Sequence, residues 1–92
     1  MNPVLEQIET LKRLKEEFCD FRYEIQNRMD DFSQQINYLG KAGLTDSVLE
    51  HYWKEYYTPL DDKFQDVYKD IDGNIEFIDS LLGRILTILD EH

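Results

Sequence analysis

The stretch Asp66 to Asp79, DVYKDIDGNIEFID, reads in two ways. As a calcium-binding loop it offers Asp70, Asp72, Glu76 and Asp79 as oxygen ligands, Gly73 for the turn and Ile75 for the core. As a helix it continues an apolar repeat that runs through it. Two features favour the helix. The first ligand position of the loop falls on Tyr68, which has no carboxylate, and the fourth falls on Ile71. The repeat also crosses the stretch in phase, whereas a loop would fold the backbone back and lose it. The stretch is therefore expected to be helical, with Gly73 as a costly interior glycine.

Outward from that stretch, one apolar track runs Trp53, Leu60, Val67, Asn74, Leu81, Ile88 and a second runs Tyr57, Phe64, Ile71, Ile78, Ile85. Alternating steps of three and four mark one helix with one buried stripe. The first half repeats the pattern. Val4, Leu11, Phe18, Ile25, Phe32 and Leu39 form one track, Ile8, Lys15, Arg22, Met29 and Ile36 the other, and Leu14 and Phe21 widen the stripe. Asn2-Pro3 reads as a cap and first-turn proline. "GKAG", Gly40 to Gly43, reads as the turn. The expectation is one all-α domain over residues 1–92: a long antiparallel two-helix hairpin, helix 3–39, turn 40–44, helix 45–90. Thr58-Pro59 either kinks the second helix or breaks it. Two helices make a thin core, so association into a helical bundle is expected.

A turn at residues 40–43 sets a register. Facing residues then have numbers that add to roughly 84. Arg22 is expected near Asp62, and Lys15 near Asp66 and Asp70. The same register leaves the chain after Arg84 without a neighbouring helix. Ile85, Leu86, Ile88 and Leu89 would then be open to a partner. Tyr52, Trp53 and Tyr56, in "HYWKEYY", form a second candidate contact, since Trp and Tyr dominate binding hot spots.

The formal net charge is −10, and residues 44–92 carry twelve acids against four bases. That balance repels phosphate backbones and argues against nucleic-acid binding. No apolar run reaches the ~20 residues of a membrane span. The N-terminus turns polar at once, so a cytoplasmic chain is expected, with export without a cleaved signal peptide left open. Cys19 is the single cysteine. His51 and Glu55 stand one turn apart with no third ligand evident. No catalytic motif, cofactor motif or metal site is legible, and an enzyme is not expected.

The layout resembles the WXG100-type family, the helical-hairpin substrates and helpers of type VII secretion. "YLG" places Tyr38 and Gly40 at the turn, with Tyr where the family motif has Trp. Tyr57/Asp61 and Tyr68/Asp72 match the family's Tyr-x-x-x-acid element. The resemblance implies a hairpin that pairs with itself or with a related helical protein. The alternative is an acidic immunity- or antitoxin-type inhibitor covering a basic protein surface with residues 61–79. EF-hand-like calcium binding is a third and weaker reading.

Overall fold

A computed structural model describes residues 2–90. The fold is an all-α helical hairpin. Helix α1 spans Pro3–Lys41, α2 spans Asp46–Tyr52, and α3 spans Thr58–Asp90, with a π turn at Trp53–Tyr57 between α2 and α3. The stretch from Asp66 to Asp79 is helical throughout.

Each boundary has a local cause. The side chain of Asn2 accepts the Val4 N–H at 2.9 Å, and Pro3 occupies the first helical position, where its missing N–H costs nothing. At the other end of α1, the Leu44 N–H donates to the Leu39 carbonyl and the Gly43 N–H to the Gly40 carbonyl. This is a Schellman cap, and it needs a left-handed residue. Gly43 supplies it, with φ of 101°. Gly40 does something else. It lies inside the helix, and a Cβ there would stand 2.9 Å from Leu49 Cδ1. One glycine turns the chain, and the other lets α2 approach.

Gly43→Ala is expected to cost about 1–2 kcal/mol, the penalty of a side chain in the left-handed region. Chemical denaturation measures it. A neutral result would mean that the cap is not held in this geometry.

The irregularity expected at Pro59 takes the form of the π turn. Proline cannot donate to the carbonyl four residues back, and its ring crowds that carbonyl. The wider turn just upstream makes room. Within it the Thr58 N–H donates to the Trp53 carbonyl, five residues back. Helical dihedrals continue on both sides, at Tyr52 and at Thr58.

The chain divides into two compact units, Met1–Arg22 with Lys69–His92, and Tyr23–Tyr68. In each, a segment of α1 runs antiparallel to a later segment. In the first unit Ile8, Ile71 and Ile78 are buried. Lys15 donates to Asp79 at 2.8 Å, and Arg22 donates through Nε and Nη2 to the two Asp72 oxygens at 2.9 and 3.3 Å. One heptad up α1 is one heptad down α3. In the second unit Ile25, Met29, Ile36 and Tyr68 are buried. Phe32 meets Tyr57 with ring centroids 5.9 Å apart, and Gly40 meets Leu49.

These pairs correct the expected register. Arg22 meets Asp72, not Asp62, and Lys15 meets Asp79, not Asp66 or Asp70. Two causes combine. The turn falls later than the glycine run suggests, since α1 continues to Lys41. Long side chains on a helix also lean toward its N-terminus. Lys15 and Arg22 therefore reach back along α1, and in an antiparallel pair that means further along α3.

On α1 the buried and half-buried positions follow both expected tracks from Val4 to Leu39. Leu14 and Phe21 do not widen the stripe; they are exposed. On α3 one track holds, Phe64, Ile71, Ile78 and Ile85, after Tyr57 of the π turn. The other lies one residue later than expected. Asp61, Tyr68, Ile75, Leu82 and Leu89 face inward, while Leu60, Asn74 and Ile88 are exposed. Val67 and Leu81 keep half-buried places at the edge.

Candidate interaction surface

Among the described residues no polar or charged residue is buried. No three His, Cys, Asp or Glu side chains there come together as a metal-holding group, and no helix of the structure is long and apolar enough to cross a membrane. What the molecule presents is helix surface, in three places.

The first is the aromatic group at the π turn. Trp53 and Tyr57 lie edge to face with centroids 4.8 Å apart, and Tyr57 also touches Phe32 of α1. This pair faces inward. Tyr52 and His51 each contact Tyr56 at 5.5 Å, and Tyr56 is 51 % exposed. His51 and Tyr56 are five residues apart. On an α-helix such residues point away from each other, but a π turn, with its i to i+5 geometry, brings them together. The α-helical period cannot reveal that contact. Of the candidate residues, Tyr52 and Trp53 are half-buried, and only Tyr56 stands fully open.

Lys15 and Tyr57 are both held toward their protonated forms. The hydrogen bond to Asp79, and then the charge of that carboxylate, hold Lys15 above the usual 10.5. Removal from water, and then Asp61 and Asp30, push the Tyr57 phenol above 10.0. In both cases folding favours the protonated form, so the folded value lies above the unfolded one. The stability they contribute is complete below about pH 10 and is lost as pH rises through the folded values. Melting temperature is therefore expected to fall above about pH 10, and Tyr57→Phe should remove the part of that fall due to Tyr57. An identical alkaline profile in the variant would exclude the tyrosine contribution.

The second place is the C-terminal part of α3. Ile85 and Leu89 face inward and are half-buried, and Ile85 lines an open groove of about 490 Å³ with Pro3 and Leu11. The first turns of α1 therefore lie beside this segment, which the expected register had left uncovered. Leu86 and Ile88, by contrast, are exposed.

The third is the outer face of α3, which the inner-track reading passes over. Phe77 is 62 % exposed, the most open large apolar side chain among the described residues of the first unit. Ser80, Gly83, Arg84, Thr87 and Ile88 line a surface groove of about 680 Å³. A Cβ at Gly73 or Gly83 would meet nothing within 4 Å, so packing within the chain does not call for glycine at either position. The signal was present in the sequence: an aromatic residue off both tracks, with Gly73 and Ser80 about one helical turn away on either side.

The residues that carry the WXG100 resemblance occupy four different settings. Tyr38 is exposed in the last turns of α1, and Gly40 is the contact point for Leu49. Tyr68 is buried, and Asp72 is the ion partner of Arg22. Fold and surface together define a helical hairpin whose outward faces carry large apolar side chains. No protein-family model, no curated protein and no solved structure matches the chain.

Proposed function

We propose that the chain is a non-enzymatic helical interaction module that presents helix faces to another helical chain, either a second copy or a related protein. The observation that carries this reading is the imbalance between core and surface. Among the described residues seven apolar side chains are buried, while twelve large ones, including Phe21, Tyr56, Phe77 and Ile88, are exposed. A helix pair has no third layer to cover them, and helical proteins of this kind complete their cores by association. The WXG100-like assignment is the specific form of this reading, and it brings work in the cytoplasm and export without a cleaved signal. Hairpin layout and the Gly40 contact near the turn support it. The burial of Tyr68 counts against an exposed signal at that tyrosine.

Acidic inhibition of a basic protein is the second reading. Asp62, Asp66, Asp70 and Glu76 are exposed on α3 and support it, whereas Asp72 and Asp79 are already engaged by Arg22 and Lys15. The test is mass by light scattering across concentration, alone and co-expressed with a helical protein encoded beside it. A stoichiometric helical complex supports the module reading. Tight binding to a basic protein instead, with an association rate that falls steeply with salt, supports the inhibitor. A monomer that pairs with neither overturns both.

A further inference from the structure

We propose that the outer face of α3 between Asp70 and Arg84 is the contact surface for a second copy of this chain, docked end for end about Phe77. The proposal rests on the interaction-module reading and names its partner. Asp70, Phe77 and Arg84 follow one another at steps of seven, so they lie along one line on α3. All three are exposed, and none belongs to the inward stripe of Ile71, Ile75, Ile78, Leu82 and Ile85.

The sequence of charges along this line is what selects the occupant. A two-fold axis makes each contact occur twice, residue i on j and j on i. With the axis at Phe77, the two rings meet at the centre. Arg84 of each copy then lies against Asp70 of the other. Arg84 is the only base between residues 70 and 90. It stands on this face where the two-fold about Phe77 brings it to an acid, Asp70. Two copies of a chain with net charge −10 repel each other. This arrangement places opposite charges where the helices meet, on both sides of an apolar centre.

The neighbouring residues agree with the same axis. Gly73 and Ser80 flank the line, and inversion brings Ser80 of one copy within a residue of Gly73 of the other. Small side chains at a crossing allow helices to approach closely. Inside the chain, Gly73 has no packing reason to be glycine. The product is four helical segments side by side, the arrangement in which helix pairs bury their outer faces.

Charge exchange tests the surface. Mass and dissociation constant are measured by sedimentation equilibrium for the unaltered chain, Arg84→Asp, Asp70→Arg, the double exchange and Phe77→Ser. All changed positions are exposed, and circular dichroism checks that helix content is kept. The unaltered chain is expected to dimerise. Each single exchange and Phe77→Ser should weaken the dimer about tenfold or more, and the double exchange should restore it. A dimer indifferent to all four variants would place the contact elsewhere, leaving the module reading intact and this surface wrong. A chain that stays monomeric at every concentration would overturn the second copy as occupant. So would capture of a basic helical partner through Phe77 without self-association.

Discussion

Ile36→Ala is expected to lower the stability of the chain by about 3 kcal/mol, read as a shift of the urea midpoint at unchanged slope. Ile36 is 1 % exposed, the most deeply covered large side chain described. Alanine there loses the transfer free energy of three carbons and leaves a cavity that rigid helices fill only in part. Small domains are stable by about 5–15 kcal/mol, so the loss is a large fraction of the whole. Trp53, the single tryptophan, sits against Tyr57 in the same unit and supplies a fluorescence probe. A loss below about 1 kcal/mol would mean that the α1 stripe is not packed at Ile36.

Tyr68→Ala should be of similar size, about 3 kcal/mol or more, the cost of truncating a buried aromatic residue. The comparison that gives it meaning is Tyr38→Ala. Tyr38 is 68 % exposed, and its truncation should stay within about 0.5 kcal/mol. Both tyrosines belong to the WXG100-like pattern, yet the structure assigns them opposite environments. If the two variants unfold alike, the inward track on α3 is misplaced by one residue, and Val67 would take the place of Tyr68. If they differ as expected, a partner that reads Tyr68 must first unfold the helix around it. Tyr38 is accessible without any such change.

The outcome at Tyr68 bears on what could be read from the chain by itself. The all-α class, the hairpin layout and a turn at the glycine run were legible. Asn2-Pro3 caps α1, a left-handed Gly43 ends it, and the stripe from Val4 to Leu39 follows from period alone. Period suffices there because α1 is polar on both sides of the stripe at most levels, so one solution remains. On α3 it does not suffice. Val67 and Tyr68, Leu81 and Leu82, and Ile88 and Leu89 are adjacent apolar pairs, and either member can face inward with the same alternation of three and four. Asn74 beside Ile75 favours one solution, and Leu60 beside Asp61 favours the other. Only the presence of α1 breaks the tie.

The π turn and the ion pairs belong with that second group. Proline at position 59 announces trouble in a helix but does not itself say whether the helix kinks, breaks or widens, and the structure has the widened turn. The contact of His51 with Tyr56 exists only because the widened turn was chosen. For Lys15 and Arg22 the sequence offers many acids at helical spacing. Which ones they meet depends on where the turn falls and on the lean of long side chains along two opposed helices. Local sequence therefore determined the helices and their ends, since propensity, capping and period act within a few residues. Tertiary structure decided which face of α3 turned inward, which acids met Lys15 and Arg22, and that Phe77 was left outside, since each of these compares surfaces that meet only once the chain has folded back.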